Sequence, residues 1–258
     1  MRALVTGAGR RLGRAMALEL AARGYDVAVH CASSAKDAED TARAIRACGR
    51  QAAVLQADLL DENQAQALLP RAAEALGGPV TCLVNNASVF EHDTLATATR
   101  ASWDRHLNSN LRAPFVLLQA MAAQDVPSQQ DGGGEPQAWG LAVNMIDQRV
   151  RKLTPEFMSY TLAKSALWTL TRTAAQALAP HIRVNGIGPG PTLPGPRQSP
   201  EQFARQRQAT ILQRGADAED ITAALSYLLR AKAVTGQLIC VDGGQHLGWR
   251  TPDSEGLE

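Results

Sequence analysis

The feature that most constrains this chain is a rhythm kept along nearly its whole length. A short run of Val, Leu and Ile is followed by a longer alanine-rich segment of helical period, again and again. Strands are read at 3–7 (ALVTG), 26–32, 52–59, 81–87, 141–147, 182–188 and 237–243. Helices are read near 11–23, 35–48, 61–76, 101–123, 155–179, 200–213 and 217–231. The strand runs are apolar throughout, not alternating. Such strands need cover on both faces, which a parallel sheet between two helical layers provides. With 45% hydrophobic residues, the chain has enough apolar surface for that core.

The predicted fold class is therefore α/β: a single doubly wound, Rossmann-type domain with a seven-stranded parallel sheet and helices on both faces. Its ligand is expected beyond the carboxyl ends of the strands. The domain is read as 1–250, with 251–258 a flexible C-terminal tail. Two stretches break the rhythm. PSQQDGGGEPQ (127–137) reads as a flexible surface insertion. GPGPTLPGPRQSP (188–200) carries five prolines after the sixth strand, so 191–213 reads as a lid over the cleft or else a passive linker.

The formal net charge of +1 gives no electrostatic reason to expect nucleic acid or an anionic membrane as partner. Cys31, Cys48, Cys82 and Cys240 are scattered, with no zinc spacing, so no metal is expected and the thiols read as reduced in a cytoplasmic protein. No apolar run approaches the ~20 residues that span a bilayer. The first residues read directly as strand, with no secretory leader expected.

TGAGRRLG (6–13) lies between the first strand and the first helix, the context that gives a glycine cluster meaning. Glycine lets the backbone approach a pyrophosphate, and the helix N-terminus offers free N–H groups. Gly7, Gly9 and Gly13 suit that turn, but Arg11 stands where a further glycine is expected. Four segments follow in order: ADL (57–59), NNAS (85–88), YTLAK (160–164) and NGIGPG (185–190). Tyr160 and Lys164 are spaced to share one helix face. A lysine there, together with the positively charged ring of a bound cofactor, is expected to lower the phenol pKa from about 10.

Taken together, these motifs resemble the short-chain dehydrogenase/reductase family over nearly the whole chain. The resemblance implies a nicotinamide cofactor touching Gly7, Leu12, Asp58, Leu59, Asn86, Ala87, Lys164, Pro189 and Gly190. It also implies a catalytic Tyr160 with Lys164 as electrostatic partner, Asn110 holding a water beside the lysine, and a homotetramer built through the helices near 101–123 and 155–179. The second strand ends VHCASS, with no carboxylate from His30 to Ser34 to hold ribose hydroxyls. Arg10, His30, Ser33 and Ser34 are expected to surround a 2′-phosphate, so NADPH is the expected cofactor; the plain alternative for Arg10 is a solvated first-turn residue.

One position departs from the common family pattern. Thirteen residues before Tyr160, where the family usually has a serine, stands Asp147. An ionised carboxylate accepts hydrogen bonds and cannot donate one to a carbonyl oxygen. Arg11 in the glycine turn, Phe90 after NNAS, and Asp147 together resemble the pteridine reductase-like branch, the dihydropterin and dihydrofolate reductases of the short-chain type. By that resemblance Arg11, Ser88, Phe90 and Tyr160 bind a small-molecule pterin, Arg11 bridging it to the cofactor phosphates and Phe90 stacking on it. Asp147 and Tyr160 then form the proton-transfer pair. Bland alternatives remain: Phe90 a core aromatic, Arg11 serving phosphates alone, and the whole chain a ketone or 3-oxoacyl reductase or a cofactor-binding protein without catalysis. His246 and Trp249 are expected to pack at an interface or to reach a neighbouring subunit's cleft.

Overall fold

A computed structural model describes residues 1–195 and 198–251. Nine strands and eight α-helices lie among these residues. The first half runs β1 (Arg2–Val5), α1 (Arg11–Ala22), β2 (Asp26–Cys31), α2 (Ala35–Ala47), β3 (Ala52–Gln56), α3 (Glu62–Ala75) and β4 (Cys82–Asn85). Next come α4 (Arg100–Leu107), α5 (Ala113–Ala122), β5 (Gln129–Gln130), β6 (Pro136–Gln137), β7 (Gly140–Met145) and α6 (Met158–Ala177). The chain closes with β8 (Ile182–Pro189), α7 (Pro200–Gln208), α8 (Ala218–Arg230) and β9 (Leu238–Val241). Seven strands form one parallel sheet in the order β3-β2-β1-β4-β7-β8-β9.

The central strands of this sheet, β1, β4, β7 and β8, bury both their faces. Val5 packs with Met16 and Leu20 of α1 and with Ile221 and Leu225 of α8, while its neighbour Leu4 packs on the other side with Leu68 of α3 and Leu117 of α5. Successive side chains of a strand point to opposite faces, so a fully apolar run is what two helical layers demand. The strand order reverses between β1 and β4, which opens a crevice beyond their carboxyl ends.

Two sequence expectations change. The helix read over 101–123 is broken: α4 and α5 are joined by a π-helical turn, Asn108–Arg112. Pro114 explains the break, because it has no N–H to give the Asn110 carbonyl four residues earlier. Single π-turns of this kind gather at functional sites. The 127–137 insertion is folded in part: Gln129–Gln130 pair with Pro136–Gln137, and the Asp131 carboxylate accepts from the Gly133 N–H at 2.8 Å and the Glu135 N–H at 3.1 Å. Of the proposed lid, Pro196 and Arg197 lie outside the described residues, as do residues 252–258 of the tail.

Buried polar bonds fix the middle of the sheet below the crevice. Asn85 Nδ2 donates to Asn144 Oδ1 at 2.8 Å, and Asn144 Nδ2 donates to Thr171 Oγ1 at 2.9 Å, tying β4 and β7 to α6. Asn144→Ala strands the Asn85 amide away from water, and denaturant unfolding is expected to show a loss of about 2 kcal/mol or more; an unchanged midpoint would remove this network from the stability of the fold.

Candidate active site

The crevice is a cleft of about 650 Å³ lined from the glycine turn to Pro189 and Gly190. Its floor is built from backbone. Gly7 has φ +62°, and a Cβ on Gly13 would sit 2.2 Å from the Gly7 carbonyl oxygen, so no side chain fits where α1 meets the turn. Thr6 Oγ1 accepts from the Asn86 and Ala87 N–H groups at 2.9 Å each, and Asn86 Nδ2 donates to the Thr6 carbonyl at 2.8 Å. The first turn of α1 has no side-chain cap and no acidic residue. Its free N–H groups and positive dipole end suit a diphosphate.

Arg11 occupies the position expected of glycine and adopts a left-handed conformation, φ +53°. Its guanidinium donates to the Pro194 carbonyl at 2.8 Å and the Leu193 carbonyl at 3.2 Å. The arginine therefore ties the phosphate turn to the proline-rich segment after β8. Arg10, Leu12, Ser33 and Ser34 line the cleft, as do Asp58, Leu59, Asn86 and Ala87. Arg10 also forms an ion pair with Asp37, an acid in the first turn of α2 that sequence reading passed over.

His30 requires a correction. It was expected beside a 2′-phosphate, but it is 1% exposed and both ring nitrogens are engaged by backbone. Nδ1 accepts from the Gly7 N–H at 3.0 Å, so Nε2 carries the hydrogen and donates to the Ala57 carbonyl at 3.0 Å. Burial lowers its pKa and holds it neutral. His30 braces the turn.

At the other end of the cleft, α6 places Tyr160 and Lys164 one turn apart, 6% and 2% exposed. Tyr160 Oη donates to Asp147 Oδ2 at 2.9 Å, while Asp147 Oδ1 accepts from the Arg149 N–H at 2.8 Å. Lys164 Nζ donates to the Met145 carbonyl at 2.7 Å. The expected lowering of the tyrosine pKa belongs to Lys164 acting together with an oxidised nicotinamide ring; the chain's own groups act the other way. Burial, and then the charge of Asp147, push Tyr160 well above the usual phenol value. Burial raises Asp147 and lowers Lys164 to about 8, so the tyrosine stays a phenol and the lysine ammonium is only weakly favoured.

Asn110 is buried in the π-turn. Its amide donates to the Val89 carbonyl at 2.8 Å and accepts from the Val89 N–H at 3.2 Å, tying the side chain to the 88–90 segment. That segment carries Ser88 and Phe90, both on the cleft. Phe90 is 47% exposed, which excludes a core role. Its ring stacks on Phe157 at 4.3 Å and 8° and meets Tyr160 edge-on at 4.7 Å. Phe157, in a left-handed conformation just before α6, was missed by sequence reading. An aromatic three residues before Tyr160 was the available signal. His246 is held by Asp242 of its own chain at 2.7 Å, and Trp249 is 60% exposed.

Residues 7–246 match the family model described as enoyl-(acyl carrier protein) reductase. The chain belongs to the short-chain dehydrogenase/reductase family. Among short-chain reductases of known structure, FolM alternative dihydrofolate reductase 1 from Brucella suis, solved in complex with NADP, is 47% identical with a TM-score of 0.90, over 98% of this chain and 97% of that one. The Brucella canis protein of the same name is 45% identical, TM-score 0.89, over 98% and 97%. An uncharacterized Escherichia coli K12 oxidoreductase, YgfF, is 34% identical over 94% of this chain and 99% of its own length. The 3-oxoacyl-[acyl-carrier-protein] reductase FabG of Staphylococcus aureus is 30% identical over 95% and 98%.

This short-chain reductase should show its electrostatics in a titration. Asp147→Asn removes a negative charge that raises Tyr160, so the phenolate absorbance midpoint is expected to fall, with Tyr160→Phe as the blank; a midpoint that stays put would mean that burial alone sets it.

Proposed function

We propose that this chain is an NADPH-dependent reductase of pterins of the dihydropterin or dihydrofolate type. The observation that carries the reading is the buried Tyr160–Asp147 bond, 2.9 Å long, beside the exposed ring of Phe90. The FolM structures, 47% and 45% identical and solved with NADP, support both substrate class and cofactor. Gly7, Arg11 and Leu12 would hold the diphosphate, and Arg10, Ser33 and Ser34 the 2′-phosphate. Asp58 and Leu59 would meet the adenine, Asn86, Ala87 and Lys164 the nearer ribose, and Pro189 and Gly190 the nicotinamide. NADPH, when bound, supplies a hydride to a ring carbon.

The chain's own residues then supply position and proton. Phe90 stacks on the flat ring, a contact worth about 0.5–1.5 kcal/mol beyond area burial. Arg11 offers a planar fork of donors beside the phosphates. Tyr160, kept as a phenol by burial and by Asp147, delivers a proton to the ring nitrogen next to the reduced carbon, and Asp147 accepts the hydrogen bonds of the ring's N–H groups. One hydride on carbon and one proton on nitrogen complete the reduction of a C=N bond. Ketone reduction of the 3-oxoacyl kind wants a donor at the position Asp147 fills, so that reading is second.

NADPH oxidation against dihydrofolate, dihydrobiopterin, dihydromonapterin and small ketones tests this. Pterin turnover is expected with NADPH preferred over NADH, and Tyr160→Phe is expected to cut it by about two orders of magnitude or more while NADPH still binds. Ketone turnover with silent pterins would overturn the substrate class. We also infer a cytoplasmic homotetramer joined through the α4–α5 and α6 faces, where Trp103, Phe115 and Leu162 are 39%, 38% and 44% exposed; light scattering at monomer mass would refute it. No helix among the described residues is long and apolar enough to cross a membrane.

A further inference from the structure

Behind the cleft lies a buried cluster that the chemistry above does not use: Asp93, His106 and Ser159, at 2%, 0% and 0% exposure. His106, on α4, accepts at Nε2 from the Glu91 N–H at 3.1 Å. An amide N–H can only donate, so Nε2 is bare and the ring hydrogen sits on Nδ1. Nδ1 then donates to Ser159 Oγ at 2.7 Å. Ser159 Oγ in turn donates to Asp93 Oδ2. Asp93 also accepts the Ser159 N–H at 3.1 Å on its side chain and the Met158 N–H at 3.2 Å on its carbonyl, which fixes the start of α6. Burial keeps the imidazole neutral.

The chain of bonds has a definite direction and joins two walls. At one end is Glu91, next to Phe90; at the other is Ser159, between Phe157 and Tyr160. The His106 ring also meets Tyr160 edge-on at 6.1 Å. We propose that His106 is a positioning residue: by gripping the Glu91 N–H from a ring oriented through Ser159 and Asp93, it sets where Phe90 stands relative to Tyr160. It touches neither substrate nor cofactor and acts through the 90–91 backbone. The inference rests on the proposed role of Phe90 as the wall for a flat substrate.

Two variants separate positioning from mere packing. In His106→Gln the side-chain oxygen can take the Nε2 place and still accept from Glu91. In His106→Asn the amide keeps the bond to Ser159 but falls short of Glu91. Steady-state kinetics with the wild-type protein's best substrate are expected to give His106→Asn a KM raised about tenfold, the worth of one buried hydrogen bond. Its kcat and NADPH dissociation constant stay near wild type, and His106→Gln keeps a near wild-type KM. Equal KM in all three proteins, or a loss confined to kcat, would overturn the inference. If His106→Asn does not fold, Ser159→Ala, which unhooks Nδ1 from its acceptor, must raise KM or the inference fails. Wild-type silence on every pterin would sink the substrate reading alone. A crystal structure of His106→Asn with the 4.7 Å Phe90–Tyr160 separation unchanged would overturn the positioning role whatever the substrate.

Discussion

A parallel sheet buried on both faces leaves polar chemistry only one place to go. Its interior strands give every backbone group to the ladder and every side chain to a helix layer, so functional groups collect where strands end and order reverses. Here that point lies between β1 and β4, and the cleft is lined by the carboxyl ends of strands, the loops that follow them and the first turns of helices. The glycine turn, the 85–90 segment, Asp147 and the residues after β8 converge because the sheet aims them at one rim. The cross-ties of Thr6 to Asn86 and Ala87 and of His30 to Gly7 then hold that rim to fixed spacing.

Within the cleft, desolvation outweighs attraction. Lys164 lies 5.7 Å from the centre of the Tyr160 ring, close enough to favour a phenolate in water-exposed surroundings. Instead the tyrosine is raised, the lysine lowered and the aspartate raised, each with burial as the leading cause. All three groups are driven toward their neutral forms, as expected when charge leaves water without full compensation. A serine in place of Asp147 would leave out the like-signed charge that acts on the phenolate. The substitution visible in the sequence therefore adds a negative charge beside the phenol as well as changing the hydrogen-bonding role.

Arg11 shows how one residue serves two scales. A non-glycine residue at positive φ is uncommon and costs strain, yet here the side chain reaches two carbonyls of the segment after β8. The strain of the turn is offset by a tether between two parts of the cleft far apart in sequence.

The fold was legible in the sequence because it depends on local pattern. Apolar runs without alternation, helical periods between them and a glycine turn between the first pair specify a covered parallel sheet; Tyr160 and Lys164 were found by their spacing within the ordered motifs, and Asp147 by the family resemblance, at the position where that pattern usually has serine. What the sequence by itself determined was thus the class of fold, the order of its elements and the chemical types in the cleft. What only the tertiary structure decided was which polar atom each group spends its capacity on. His30 looked like a ligand contact and proved to be a brace, and Asn110 also ties down the Val89 backbone, since buried backbone N–H and carbonyl groups must find partners. Phe157 escaped notice because its place beside Phe90 comes from a left-handed residue at a helix start, and the Asp93–Ser159–His106 cluster because its members meet only when α4 and α6 pack. Spacing along a chain encodes one helix or one strand; partnership across elements, and the pKa values that burial imposes, exist only once the core has closed.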